Sequence, residues 1–202
     1  MNDFNFSTDY VLETDVALLR PLKTDDFLNL INFSLQEANI WQYSLMHAIG
    51  EEGLRNYLQA AEDGRKNEKQ YPFIVFDKRV QQYAGSTRFY DIEPINRCLK
   101  LGYTWYGQSF QQTGLNKHCK YLLFEFAFET MKMERIELRA DTNNERSIKA
   151  MQSIGCVIEG ELRSNVIRLD GKRRNTLVLS ILREEWEQTV KQTLQHQLQR
   201  KY

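Results

Sequence analysis

Gln111-Gln112-Thr113-Gly114-Leu115-Asn116 separates a strand-like run, Cys98 to Tyr106, from a helix-like run, Leu115 to Met131. A strand, a glycine-containing turn and a helix start together present backbone N–H groups to phosphate. The first N–H groups of a helix have no internal acceptor, and the helix dipole adds partial positive charge there. A single Gly in a turn is a weak signal alone. Gly114 reads either as an ordinary turn glycine or as an anion cradle, and its neighbours decide between the two.

Upstream, Val16 to Leu22 reads as a strand, and Thr24 as the N-cap of a helix whose apolar residues Phe27, Leu28, Leu30, Ile31 and Leu35 recur at helical spacing. Ala38 to Gly50 carries Trp41, Tyr43, Met46 and His47 without a clear period and reads as a loop. A second helix is expected from about Glu51 to Asp63, with Gly64 as its stop. Phe73-Ile74-Val75-Phe76, Gln82 to Asp91 and Cys98 to Tyr106 form a predicted antiparallel meander. Downstream, Arg135 to Leu138 is a strand, and Glu145 to Ile154 is a helix between Asn144 and Gly155. Val157 to Leu169 and Arg174 to Leu182 flank Asp170-Gly171, a two-residue hairpin signal. A last helix follows Arg183, with a narrow stripe of Trp186, Val190, Leu194 and Leu198 that packs on the body or on a second subunit. The order β-α-α-β-β-β-α-β-α-β-β-α predicts an α/β (α+β) domain. Its sheet is mixed and mostly antiparallel, with about seven strands, one β-α-β crossover and helices on both faces.

The chain has 202 residues, with 27 Lys plus Arg against 27 Asp plus Glu. That length fits one domain. Zero formal net charge argues against a protein dominated by nucleic-acid or anionic-membrane binding. Cys98, Cys119 and Cys156 form no CxxC pair, which suggests neither a zinc site nor a disulfide framework, so no metal is expected. The N-terminal residues lack a basic and apolar leader pattern, and no apolar run is long enough for a membrane span. The expectation is a cytoplasmic protein.

The ordered set of motifs resembles the GCN5-related N-acetyltransferases (GNAT), nearest to their ribosomal-protein-alanine and spermidine branch, over roughly residues 15–187. Residues 188–202 would be a C-terminal helical extension of the single domain. Gln111-x-x-Gly114-x-Asn116 matches the family's phosphate loop except at its last place, where Asn116 replaces Gly or Ala. Asn144-Glu145-Arg146-Ser147, Glu159-Gly160-Glu161-Leu162-Arg163 and Asp170-Gly171 match in order. The resemblance implies acetyl-CoA as donor substrate and an amine acceptor. Gln111, Gln112, Thr113, Gly114, Leu115 and Asn116 would hold the pyrophosphate. Tyr103, Thr104 and Trp105 would pair with the pantetheine arm like an added strand. Asn144 would hydrogen-bond pantetheine, cap its helix, or do both.

Acyl transfer to nitrogen needs a neutral amine, a stabilised oxyanion and a proton for the leaving thiolate. Ser147 stands where the family has a proposed thiolate proton donor, although it also suits a helix start. Tyr103 is the rival donor. Asp91, Glu93 and His47 are possible bases or merely solvated residues. With ordinary pKa values, about a sixth of α-amines are neutral at pH 7, against about one lysine-type amine in 2,500. A site without a strong base therefore suits a low-pKa amine. Trp41 and Tyr43 would line the acceptor side as a lid, or fill the core. Arg163, Arg168, Lys172, Arg173 and Arg174 make a basic hairpin that is a solvated face or an acidic-ligand surface. The leading reading is an N-acetyltransferase acting on a small-molecule or peptide amine, with a homodimer possible. The alternative is a CoA-binding regulatory module without turnover.

Overall fold

A computed structural model describes residues 4–168 and 170–199. Its strands are β1 (Leu12–Glu13), β2 (Ala17–Pro21), β3 (Gln70–Asp77), β4 (Gln82–Glu93), β5 (Cys98–Tyr106), β6 (Arg135–Asp141), β7 (Val157–Ile167) and β8 (Arg173–Leu182). They form one sheet in the order β1-β2-β3-β4-β5-β6-β8-β7. Every neighbouring pair is antiparallel except β5 and β6, which run parallel. The eighth strand is the two-residue β1, which is too short to carry a period-2 signal in the sequence.

The helices are α1 (Phe27–Gln36), α2 (Gly50–Lys66), α3 (Leu115–Glu125, extended by a π turn over Phe126–Thr130) and α4 (Glu145–Gln152). A last helix, α5, runs through Arg183–Glu185, a π turn at Trp186–Val190 and Lys191–Leu198. Alternation along β3 shows how they divide between the faces. Phe73 and Val75 enter a core shared with α3 and α5, while Ile74 enters a second core with Leu30, Leu54, Tyr57 and Leu58 from α1 and α2. Successive side chains of a strand point to opposite faces, so each face receives its own helical cover.

Several local expectations change. Thr24 opens a 3-10 turn, Thr24–Asp26, and α1 begins only at Phe27. The buried Asp26 takes over there, accepting the Lys23 N–H at 3.0 Å and the Arg20 guanidinium at 2.6 Å. Gly64 does not end α2, which continues to Lys66. A Cβ at Gly64 would meet the Gln70 side chain at 2.8 Å, so that glycine serves close packing rather than a helix stop. The β7–β8 connection is longer than two residues, because the Arg168 N–H bonds Lys172 O at 2.8 Å and Gly171 N–H bonds Arg168 O at 2.9 Å. Gly171 supplies the positive φ of +78°.

The stripe on α5 turns inward to the body. Trp186 and Leu194 are fully buried, and the Trp186 ring lies 5.9 Å from Phe128 and 6.1 Å from Phe124. Its indole N–H reaches Glu129 at 3.0 Å. Truncation there would leave a cavity between α3 and α5. Trp186→Ala is expected to cost about 3–5 kcal/mol of stability; urea unfolding measures this, and a loss below about 1 kcal/mol would mean that α5 docks independently of this ring.

Candidate active site

β5 and β6 pair over only three residues, Cys98↔Arg135, Leu99↔Ile136 and Lys100↔Glu137. Beyond that point β5 continues to Tyr106 and β6 to Asp141 without pairing to each other. A cleft of about 660 Å³ opens between them and runs from the α3 N-terminus to the side covered by the α1–α2 connection. The unpaired strand edges leave main-chain donors and acceptors facing this gap, which suits an extended polar chain laid alongside β5.

β4 shapes the same opening. Its register against β5 shifts between Ser86 and Arg88, so Thr87 faces one residue too many, and Tyr103 sits in the bulge with φ +50°. A left-handed φ at a non-glycine residue is uncommon, and a bulge of this kind re-aims neighbouring side chains. The Tyr103 ring lies 5.2 Å from that of Tyr90, and the Arg88 guanidinium stands 4.3 Å over it.

At the open end, Gln112 (φ +61°) and Gly114 (φ +83°) bracket Thr113 at the start of α3. The backbone N–H groups of Gln112, Thr113, Gly114 and Asn116 find no acceptor among the described residues. Four orphan amides around alternating left-handed residues make an anion-binding concavity. The donor set fits a polyphosphate with several oxygens. Gln111 shapes the rim: its amide N–H₂ donates to Tyr106 O at 2.9 Å, and its Oε1 accepts from Arg146. Arg79 braces the loop from behind, donating to Thr113 O at 2.9 Å while the buried Asp77 holds it at 2.6 Å. Asn116 lines the cleft, as do Gln111, Gln112 and Gly114, whereas Leu115 is fully buried in the core.

Asn144 Oδ1 accepts the Ser147 N–H at 3.1 Å, so Asn144 caps α4. Asn144 and Ser147 both line the cleft, and the Ser147 hydroxyl has no protein partner among the described residues. Tyr103, Thr104 and Trp105 also contribute to the wall. The two lid candidates separate. Tyr43 lines the cleft and donates to Asn143 O at 3.2 Å. Trp41 is 1% exposed and packs 4.7 Å from Trp105 and 6.0 Å from Tyr57, so it belongs to the core under the lid. Of the suggested bases, Asp91 lines the cleft but is paired with Lys100 at 2.8 Å. Glu93 bonds Asn96, and His47 lies outside the wall.

Two cleft residues, Asp141 and Lys120, carry no signal in the sequence, and a third, Arg174, departs from the hairpin surface expected of it. Asp141 is 1% exposed and spends Oδ1 on Asn143, leaving Oδ2 without a partner among the described residues. Arg174 leaves the basic hairpin and turns inward, bonding Tyr43 O and Thr176 Oγ1, both at 3.2 Å. Lys120 is 4% exposed on α3, and its ammonium donates to Thr104 Oγ1 at 3.1 Å. Thr104 in turn shares a hydrogen bond of 2.7 Å with Thr87. Burial brings Lys120 down from 10.5 to about 8. Neither Arg174 nor Lys120 has an ion pair with a described carboxylate within 4.0 Å. No group of three or more His, Cys, Asp or Glu side chains placed to hold a metal ion occurs among the described residues. No described helix is long and apolar enough to cross a membrane.

The Lys120 shift sets a stability cost with a definite sign. Its folded pKa lies below the unfolded one, so the unfolded chain binds more protons between about 8 and 10.5. The cost is full below about pH 8 and fades as pH rises through 10.5. Lys120→Met is therefore expected to stabilise the free protein at pH 7 by up to about 3 kcal/mol, with the gain vanishing at high pH. Paired urea titrations of both proteins at pH 7 and pH 10 test it; a destabilised variant at pH 7 contradicts it.

The sequence and fold also have relatives. Residues 17–157, more than half of the chain, match the acetyltransferase (GNAT) domain family. Bacillus subtilis YdaF, which carries the name of a ribosomal N-acetyltransferase, is 27% identical over 104 residues; the match spans 52% of this chain and 56% of that protein. Bacillus subtilis YjcK, named as an N-acetyltransferase, is 25% identical over 186 residues, spanning 88% of this chain and all of that protein. Among solved structures, Mycobacterium smegmatis RimJ in complex with CoA-disulfide superposes with a TM-score of 0.79 at 18% identity, covering 94% of this chain and 93% of its own, a likeness of fold. The parted parallel strands, the amide-rich turn and the sequence match agree: the chain belongs to the GNAT acetyltransferase family.

Proposed function

We propose that the protein transfers an acetyl group from acetyl-CoA to a primary amine, by direct attack within a ternary complex. The parting of β5 and β6 after Lys100 and Glu137 carries this reading, because it opens one continuous cleft from the amide cradle at Gly114 to the mouth framed by Tyr43 and Arg174. A donor entering at the cradle and an acceptor entering at the opposite mouth meet in the gap, so no covalent enzyme intermediate is needed. The N–H groups of Gln112, Thr113, Gly114 and Asn116 would bind the pyrophosphate without cationic side chains. The free edge of Tyr103, Thr104 and Trp105 would align the pantetheine arm. Asn144 and Ser147 would close the cleft from α4.

The acceptor side favours a low-pKa amine. Asp91 is engaged with Lys100, and Asp141 Oδ2 is shut away from solvent, so no open, unpaired carboxylate among the described residues stands ready to strip a strongly basic ammonium. An α-amine arrives neutral far more often than an alkyl amine does. Peptide N-termini are therefore the preferred acceptor class, ahead of polyamines and lysine side chains.

Two measurements test this reading. Acetyl-CoA at about 100 times its dissociation constant should stabilise the protein by about 2.7 kcal/mol, raising the melting temperature by roughly 5–10 °C. Gly114→Val, which forces a β-branched residue into a left-handed backbone, should abolish that shift. Thiol release should then depend on an added amine and run faster with peptide N-termini than with polyamines. Binding without acceptor-dependent release for any amine in the panel would mark a regulatory CoA-binding module instead. Absence of any shift with acetyl-CoA or CoA would sink both.

A further inference from the structure

The cleft and its floor contain three buried cations, and they differ in what holds them. Arg88 is stacked between the rings of Tyr57 and Tyr103, at 4.7 and 4.3 Å, with a 2.8 Å bond to Gln70. Arg174 is tied to Tyr43 and Thr176. Lys120 has a single hydrogen bond, to Thr104, and keeps two N–H donors unspent. It lines the cleft beside Thr104, on the stretch of β5 that no longer pairs with β6.

The groups that face it are neutral. Its own helix offers the Cys119 thiol, and the turn after α4 offers the Cys156 thiol, both pushed up to about 12 by burial and therefore protonated. β4 and β5 offer the hydroxyls of Thr87 and Thr104. From α4 the neutral Ser147 and Met151 line the same cleft. No described carboxylate pairs with the ammonium or shifts its titration. A cation left without a countercharge in a low-dielectric cleft is costly unless a ligand supplies negative charge.

Acyl transfer supplies that charge late. We propose that Lys120 gives a proton to the CoA thiolate as it leaves, a role that rests on the acetyl-transfer reading above. The bond formed joins the acceptor nitrogen to the acetyl carbon, and the bond broken is the acetyl carbon–sulfur bond, whose electron pair stays on sulfur. Lys120 Nζ passes one proton to that sulfur and becomes a neutral amine. The proton lost by the acceptor nitrogen returns through solvent to Lys120, so the cycle closes without another reactant.

The acidity is suited to the task. Burial sets Lys120 at about 8, close to the ordinary value of about 8.5 for a thiol, and a general acid works best near the operating pH. The Ser147 hydroxyl has no comparable acidity. In this arrangement Ser147 contributes a hydrogen bond and Tyr103 shapes the bulge, while the proton comes from α3.

Bound CoA itself reports the interaction without turnover. The thiolate ultraviolet absorbance of the CoA complex, corrected by the acetyl-CoA complex, is titrated against pH. In the wild type the bound thiol should ionise roughly one unit or more below its free value of about 8.5. Lys120→Met should return it to or above that value while leaving CoA bound, and should lower kcat about a hundredfold or more with little change in the KM for acetyl-CoA. Lys120→Arg, which keeps the positive charge, should keep the depressed thiol. A wild-type complex whose bound thiol ionises at or above the free value overturns the proposal, whatever the variants do. So does Lys120→Met with unchanged thiol ionisation and kcat. Failure of the wild type to bind CoA would count against the acetyl-transfer reading instead, so the two failures are told apart.

Discussion

Parallel pairing between β5 and β6 stops after Lys100 and Glu137, and most of the site's properties depend on that stop. A crossover through α3 sets the two strands side by side, because parallel strands need a helix-length connection. The β4 register shift and the left-handed Tyr103 then turn β5 away before the pairing can continue. Main-chain groups left open within a sheet are unstable unless something pairs with them. A ligand that resembles a strand removes that instability by binding. The cleft is therefore a consequence of sheet geometry, with side chains added to its walls.

The same economy holds at the phosphate end. Orphan amides at Gln112, Thr113, Gly114 and Asn116 would, in the proposed reading, take the place of cationic side chains. Amides hold an anion only if the loop keeps its shape. Arg79, fixed by the buried Asp77 and reaching Thr113, supplies that rigidity from β3 and the turn that follows it. Its charge is thus engaged in structure, which leaves the backbone amides to make the proposed contact with a ligand.

Much of this was legible in residue order because it rests on backbone conformation. Gly114 marks a left-handed position, Asn144 marks a helix start, and the period of two along β5 marks a strand; each leaves a local trace. What could not be read depends on which neighbour occupies a shared space. Trp41 and Tyr43 are two residues apart in one irregular segment, yet one packs on Trp105 and the other faces the cleft. Arg174 lies in a run of exposed basic residues but turns inward, since Tyr43 O and Thr176 give its guanidinium acceptors. Thr24 does not cap α1, because it opens a 3-10 turn whose last residue, Asp26, accepts the Lys23 N–H and the Arg20 guanidinium instead. Lys120 stood in a helix whose apolar face was evident, and nothing local distinguished it from a solvated lysine. Its burial follows from α3 packing into the core between the sheet and α5.

That burial separates stability from activity. In the free protein the ammonium of Lys120 is a liability, held by one threonine hydroxyl and surrounded by protonated thiols. Threonine at position 104 matters here, because its hydroxyl is also engaged by Thr87 and cannot neutralise a charge. A carboxylate in its place would form a buried ion pair, raise the lysine's affinity for its proton and weaken it as an acid. The neutral surroundings keep the proton loosely held, at the expense of folding free energy, and this is the trade expected where a strained group serves chemistry. Arg88, by contrast, has two aromatic faces and an amide to hold it, which makes it a fixed support beneath Tyr103 rather than a group poised to change its charge.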